Sequence, residues 1–213
     1  MLLRRLFIRA LLPLTWRHFA RMKAARLLRF GVTETDSQWQ ILHALDAVDD
    51  PLTRAKMLQH ALEEAHHASE FRAVALAVAD ALPPKPLPAR APIYVPETGL
   101  AEFVAYAYVG ELDVFRQFDA YAAGIGDPDA RRVFREAKLD ELGHVGLTWG
   151  LLTGVEPVAA ANRRVRWIRL RRLWDTWLRF GKALGDVNAA VVLGALYAIF
   201  GAPLGLLSRR RVA

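Results

Sequence analysis

Apolar side chains in the middle of the chain recur at steps of three and four residues, which is the period of an amphipathic α-helix. Stepping in this way from Glu64 meets Met57, Ala61 and Phe71, whereas the same steps from Glu63 meet polar residues. The pattern predicts four helices, at about 17–48, 52–81, 98–123 and 129–153. We therefore expect an all-α fold.

One acid–proline segment lies between the first and second predicted helices, and another lies between the third and fourth. Asp49-Asp50-Pro51 follows the first predicted helix, and Asp127-Pro128-Asp129 follows the third. An acidic cap followed by proline at the first helical position indicates the start of a helix. We expect one helical hairpin to turn near residue 49 and a second near residue 126.

The two hairpins match each other when the sequence is shifted by 77 residues. Ten of the 36 positions in 32–67 are identical to their counterparts in 109–144, among them Asp50, Pro51 and Arg54. A match of this length without a gap predicts two copies of one helical hairpin.

A proline-rich segment joins the hairpins. An extended proline-rich chain rises about 3.1 Å per residue, so its 14 residues can reach roughly 43 Å. This is about the length of a 29-residue helix. The segment can therefore carry the chain back along the helices, giving a ferritin-like four-helix bundle with one long crossover. Its prolines are Pro83, Pro84, Pro86, Pro88, Pro92 and Pro96.

Six ionisable residues interrupt the apolar helix faces. In each hairpin a single Glu on one helix precedes a Glu-x-x-His on the next by 30 residues. Because the hairpin turns midway, the single Glu lies level with the Glu-x-x-His of its partner helix. The six residues are Glu34, Glu64, His67, Glu111, Glu141 and His144.

Four carboxylates and two imidazoles on inward faces are the ligand set of a bundle-held pair of metal ions. Charges are almost never buried unless they are paired or bind a metal, and four neighbouring carboxylates would raise one another's pKa. Two divalent cations remove this repulsion. Oxygen and imidazole donors without thiolate suit iron or manganese. We predict the six residues as ligands and catalytic residues of two iron ions, with manganese or a mixed pair as the alternative and a metal-free structural bundle as the rival interpretation.

Three further residues are candidates for supporting this centre. A histidine ligand needs a partner for its other ring nitrogen. Glu63 precedes His67 by four residues, and Asp140 precedes His144 by four, so each acid lies one helical turn from a histidine. The alternative is that both are solvated surface acids. Tyr108, one turn before Glu111, is a redox or gating candidate, or else a packing residue.

Composition narrows the choice of function. A chain of 213 residues can bury one sizeable core, and the absence of cysteine excludes disulfides and iron–sulfur clusters. The net charge of +7 is unevenly distributed. Residues 1–30 hold eight Lys/Arg and no acid, 31–160 hold ten Lys/Arg and twenty Asp/Glu, and 161–213 hold eleven Lys/Arg and two acids.

The two basic ends are also apolar. Residues 1–30 interleave Arg with Leu, Trp and Phe, which favours a basic amphipathic helix on a lipid surface over a nucleic-acid partner. An organellar transit peptide and an ordinary solvated helix start are the alternatives. Beyond Pro157, Arg alternates with apolar residues including three Trp, which is typical of a membrane interface.

Residues 189–207 carry no charge, and as a helix they reach about 28 Å, which is marginal for crossing a bilayer. A span, a re-entrant or interfacial helix, and a soluble fifth helix all remain open. The expected organisation is a basic extension at 1–30, a di-metal bundle at 31–155 and a membrane-associating region at 156–213.

The ligand motifs resemble those of the ferritin-like di-iron carboxylate proteins. The matching residues are Glu34, Glu64-Ala65-His66-His67, Glu111 and Glu141-Leu142-Gly143-His144. Two Glu-x-x-His copies are similar to the oxygen-activating branch, which includes the demethoxyubiquinone hydroxylases, aldehyde-deformylating oxygenases and small ribonucleotide reductase subunits. The demethoxyubiquinone hydroxylases are membrane-bound and act on a lipid-borne quinone, and the apolar, basic ends of this chain are similar in that respect.

The resemblance implies a membrane-associated di-iron monooxygenase. Its partners would be O2, a lipid, isoprenoid or quinone substrate that is hydroxylated or desaturated, an electron donor that the sequence does not identify, and a membrane surface, here the cytoplasmic face of an inner membrane. No nucleic-acid partner is expected, and a homo-oligomer is compatible with the pattern. A rubrerythrin-like peroxidase or a ferroxidase is the alternative activity.

Overall fold

The computed structural model describes residues 20–78, 92–97 and 99–201. These residues contain no β-strand and are mostly α-helical, which confirms the all-α prediction. Their helices are α1 (Ala20–Ala44), α2 (Pro51–Val78), α3 (Gly99–Gly124), α4 (Pro128–Val155) and α5 (Val158–Leu196). A short 3₁₀ turn at Leu45–Ala47 follows α1, and a π-helical turn at Tyr197–Gly201 follows α5.

The acid–proline segments start α2 and α4 as the sequence predicts. The Asp50 carboxylate accepts a hydrogen bond from the amide of Thr53 at 2.7 Å. The Asp127 carboxylate accepts one from the amide of Ala130 at 3.1 Å. Each bond satisfies one of the amides that a helix leaves unpaired in its first turn.

An arginine braces each hairpin turn in the same way. The Arg54 guanidinium donates to the carbonyl oxygens of Leu45 at 2.8 Å and Val48 at 3.2 Å. The Arg131 guanidinium donates to the carbonyl oxygen of Ile125 at 2.9 Å. Arg131 and Ile125 lie 77 residues after Arg54 and Val48, so the register found in the sequence also relates these two contacts.

Four phenylalanines, one from each of the first four helices, hold α1–α4 together. The rings of Phe30, Phe71, Phe118 and Phe134 contact one another in all six pairs, with centroids 5.0 to 5.6 Å apart. Each ring lies on the apolar face that the period of its helix predicts. Aromatic pairs at these distances contribute about 0.5–1.5 kcal/mol beyond the area they bury. The cluster therefore fixes the inward faces on which the ionisable residues also lie.

Most of the predicted crossover lies outside the described residues, because residues 79–91 and 98 are not among them. At its far end, the amide of Ile93 donates to Gln40 Oε1 at 2.8 Å, and the ring of Tyr94 lies edge-on to Phe103 at 6.2 Å. Gln40 is in the half of α1 nearest the first turn, so Ile93 lies where a crossover from the end of α2 would arrive.

The described residues divide into two compact units between Val165 and Arg166. In the second unit, large apolar side chains of α5 are exposed, including Trp167, Trp174 and Trp177. By length and composition, Val158–Ile199 is the one helix among the described residues that could cross a membrane. Predictions for residues 1–19 and 202–213 lie outside the described residues, and the predicted domain boundaries stay predictions.

Candidate metal centre

All six predicted ligands lie in the interior shared by α1–α4. None of them is more than 6% exposed, and Glu64 and Glu141 are fully buried. By contrast, His66 is exposed and Glu63 is half-buried, as expected from the polar side of α2. The helical period therefore predicts the inward residues correctly.

Ligand atoms from these side chains converge into two groups. One consists of Glu34, Glu64, His67 and Glu141, and the other of His60, Glu64, Glu111 and His144. Within each group, one nitrogen or oxygen from every residue lies within 4.8 Å of those from the others. Glu64 belongs to both groups, so the two positions adjoin.

Buried atoms without hydrogen-bond partners are concentrated at this centre. Within the described ranges, six buried side-chain nitrogen and oxygen atoms lack a partner. Buried polar atoms are normally paired, and leaving one unpaired costs about 1–3 kcal/mol. A cation would satisfy all six, so these residues fit a metal centre. The atoms are Glu34 Oε1, Glu64 Oε2, His67 Nδ1, Glu141 Oε1, Glu141 Oε2 and His144 Nδ1.

Glu63 and Asp140 contact the histidines, but each contacts the histidine of the opposite helix. His67 Nε2 lies 2.9 Å from Asp140 Oδ2, and His144 Nε2 lies 2.8 Å from Glu63 Oε2. The expected pairing along one helix is therefore wrong. Each imidazole extends across the contact between α2 and α4, so its far nitrogen reaches the neighbouring helix.

These contacts set the orientation of both imidazole rings. If each Nε2–H donates to its carboxylate, each Nδ1 carries a lone pair directed at the centre. His144 Nδ1 lies 3.3 Å from Glu64 Oε1 without a hydrogen bond, and 3.8 Å from Glu141 Oε2. His67 Nδ1 lies 3.9 Å from Glu141 Oε1. A lone pair facing a carboxylate is repulsive unless a proton or a cation lies between them.

The electrostatics are those of a crowded anionic site. Burial raises the pKa of Glu34 and of Glu141 well above the ordinary value, and neighbouring carboxylates add to the effect. Burial likewise raises the pKa of Glu111. Burial also opposes a charge on His144, but the Glu64 carboxylate outweighs it and raises the pKa of His144 to about 9. The pKa of Glu64 is lowered, because close polar contacts with Glu34, His144 and His60 outweigh its burial.

Metal binding is expected to strengthen as the pH rises toward 9. His144 and two carboxyl groups with raised pKa hold protons that a cation must displace, so a higher pH lowers the cost of binding. The affinity for Co²⁺ should rise about tenfold per pH unit for each proton displaced. Calorimetry in buffers of different ionisation enthalpy measures both the affinity and the released protons. Tighter binding at pH 6 than at pH 8.5 would contradict this.

His60 also belongs to a group of converging atoms, although the repeated Glu-x-x-His pattern does not predict it. It is 3% exposed, and its Nε2 lies 3.1 Å from Glu64 Oε1 and 3.5 Å from Glu111 Oε1. Its position four residues before Glu64 on α2 is the signal that could have found it. The 77-residue repeat does not indicate His60 as a ligand, because its counterpart in the second hairpin is Ala137.

Tyr108 contacts Trp149 and is not in either group of converging ligand atoms. Its half-buried ring lies against Trp149 of α4, with centroids 5.1 Å apart. This contact packs α3 against α4, and a redox or gating role for Tyr108 stays a prediction.

The donor atoms of the centre are carboxylate oxygens and imidazole nitrogens. Such a set suits iron, manganese, cobalt or zinc better than copper(I), which prefers thiolate or thioether sulfur. Comparison with protein-family models, curated proteins and solved structures finds no match to this chain.

Proposed function

We propose that this protein is a membrane-associated di-iron oxidoreductase that uses O2 to hydroxylate or desaturate a lipid, isoprenoid or quinone. In this proposal α1–α4 form a ferritin-like four-helix bundle made of two repeated hairpins. The same Arg–carbonyl contact at both turns supports the repeat. The four-way phenylalanine contact supports the bundle.

One observation carries the proposal. Every buried side-chain nitrogen or oxygen without a hydrogen-bond partner in the described residues belongs to a residue that the sequence predicts as a ligand. A metal-free structural core would gain stability by replacing these residues with apolar ones, because unpaired buried charges are costly. A requirement for cations explains why these residues occur together in the interior.

The ligand assignment follows from which atoms face each other. Glu34, Glu64, His67 and Glu141 would hold the first ion, and Glu64, Glu111 and His144 the second. Glu141 would also be available to the second ion, because its Oε1 lies 3.9 Å from His67 Nδ1 and its Oε2 lies 3.8 Å from His144 Nδ1.

When bound, two ferrous ions would supply the electrons that activate O2. The chain itself keeps water away, because none of the six ligands is more than 6% exposed. Asp140 and Glu63 would accept the Nε2–H of His67 and His144, respectively, and so keep each Nδ1 available.

The exposed apolar face of α5 supports the membrane part of the proposal. Trp167, Trp174 and Trp177 are 60 to 66% exposed and alternate with arginines along the helix. Trp beside Arg is typical of the boundary between lipid and water. An enzyme at that boundary has access to substrates that dissolve in the bilayer. Cytoplasmic-face localisation is part of this proposal.

The decisive test is metal loading followed by oxygen consumption. We expect the detergent-purified chain, loaded anaerobically with Fe²⁺, to bind about two irons. With a chemical reductant it should consume O2 and add 16 mass units to, or remove 2 from, a component of a total lipid extract. Rapid use of peroxide without an organic product would instead support the peroxidase alternative. Fewer than about 0.2 metal ions per chain would support a metal-free bundle.

Substituting one tryptophan of α5 should weaken membrane binding. Trp177→Glu removes an exposed apolar ring and adds a charge, which should cost about 2 kcal/mol, or roughly 30-fold, in binding to vesicles of neutral and anionic phospholipid. Leu52→Glu is the matched control, since Leu52 is 64% exposed at the start of α2. Flotation with the vesicles measures the difference. Equal flotation of the two variants would contradict a membrane role for α5.

A further inference from the structure

We propose that His60 is a third imidazole ligand of the metal centre and makes its two metal positions chemically different. This inference depends on the proposed metal centre, and it assigns a residue that lies outside the repeated ligand pattern. The observation behind it is that His60 is in the same group of converging ligand atoms as Glu64, Glu111 and His144.

The ring of His60 is held in place from two sides. It stacks on the ring of His144 with centroids 3.7 Å apart and planes 29° from parallel. Its Nε2 lies 3.1 Å from Glu64 Oε1 and 3.5 Å from Glu111 Oε1. The nitrogen is thus directed at two carboxylates that the second ion would use.

The simpler interpretation is a buried histidine satisfied by one hydrogen bond to Glu64. Against it, the same Glu64 Oε1 also lies 3.3 Å from His144 Nδ1. Two imidazole nitrogens therefore approach a single oxygen atom, and Glu111 belongs to the same converging group. Nitrogen and oxygen ligands bind a transition metal at about 2.0–2.2 Å, so donors on opposite sides of one ion lie about 4.4 Å apart. The group already lies within 4.8 Å, so small side-chain shifts would bring all four donors to one ion.

The first position has no equivalent donor. The counterpart of His60 in the second hairpin is Ala137, which is 1% exposed on α4 and offers only a methyl group. The first position therefore has one imidazole, from His67, and the second has two, from His60 and His144. Because imidazole is neutral, the extra ligand leaves the balance of four carboxylates against two divalent cations unchanged.

Unequal ligands imply unequal metal preference. Imidazole suits iron, cobalt, nickel and zinc, whereas carboxylate-rich sites suit manganese and magnesium. The position of His60 should therefore bind Co²⁺ more tightly than the other position, and the first position should accept Mn²⁺ more readily. Occupation by two different metals is a direct consequence.

The experiment is a Co²⁺ titration of the metal-free, detergent-purified full chain, followed by calorimetry and visible absorption. The wild type should show two sites of different affinity. His60→Ala should weaken the tighter site at least tenfold, since even partners that only support a ligand are worth about 10–100-fold, and leave the weaker site unchanged. His66→Ala is the control, because His66 is exposed on the same helix and should bind as the wild type does.

A measurement on the wild type makes the test independent of whether the variant folds. X-ray absorption of the protein loaded with two Co²⁺ should count about 1.5 imidazoles per ion if His60 is a ligand, and about one if it is not. A count of one, or unchanged Co²⁺ affinity in folded His60→Ala, would overturn the inference while leaving the metal centre intact. Failure of the wild type to bind Co²⁺ would overturn the proposed function and this inference together.

Discussion

Glu141→Gln is expected to abolish binding of the metal pair and to make the metal-free protein more stable. Glu141 is fully buried, both of its oxygens lack a hydrogen-bond partner, and one oxygen faces each histidine. Without the Glu141 carboxylate, the centre would lose an oxygen donor that faces both histidines. The neutral amide removes a carboxyl group whose pKa burial and Glu111 raise well above the ordinary value. The free energy of unfolding should rise by about 1–3 kcal/mol.

Urea unfolding of the metal-free protein and metal analysis after iron loading measure the two effects. Glu136→Gln is the control, because Glu136 is an exposed acid of the same helix that pairs with Arg132. That variant should retain the metal and stay within about 0.5 kcal/mol of the wild type. A Glu141→Gln variant that kept two metal ions, or lost stability without metal, would show that Glu141 is an ordinary satisfied core residue.

The second large effect concerns Asp140 and Glu63, whose carboxylates each contact a histidine on the opposite helix. Asp140→Ala should weaken the ion held by His67, and Glu63→Ala the ion held by His144, each by about 10–100-fold. The cause is the same in both: without its carboxylate partner a histidine loses the fixed orientation that directs Nδ1 at the ion. If each acid instead supported the histidine on its own helix, Asp140→Ala would weaken the ion held by His144 and Glu63→Ala the ion held by His67.

A double-mutant cycle on the metal-free protein separates the two assignments. Asp140→Ala combined with His67→Ala should show a coupling of about 1 kcal/mol in the free energy of unfolding. This is less than a fully buried charged hydrogen bond, since the Asp140 side chain is 47% exposed. Asp140→Ala combined with His144→Ala should show almost none. Coupling to His144 instead of His67 would contradict the crossed arrangement.

Much of the fold could be predicted because its signals are local. The starts of α2 and α4 follow from Asp50-Pro51 and Asp127-Pro128, since cap and proline act within one turn of the chain. Burial of the six ligands follows from the helical period, which determines which side chains share a face. The 77-residue register adds independent support, because ten of 36 aligned positions in the two hairpins, including the ligands, are identical.

The role of His60 and the hydrogen bonds between α2 and α4 could not be predicted from the sequence. The helical period places His60 and Glu64 on one face, but it does not say that Glu111 and His144 approach that face from other helices. It also places Glu63 and Asp140 near a histidine without saying which helix that histidine belongs to.

The sequence by itself determined that this protein is helical, which side chains face inward, and that these side chains are carboxylates and imidazoles in a repeated pattern. Only the tertiary structure decided that Glu64 is shared by two ligand groups, that Glu141 faces both histidines, and that His60 joins one group and not the other. The physical reason is that secondary structure depends on neighbours along the chain, whereas a metal centre depends on distances between helices that only packing sets.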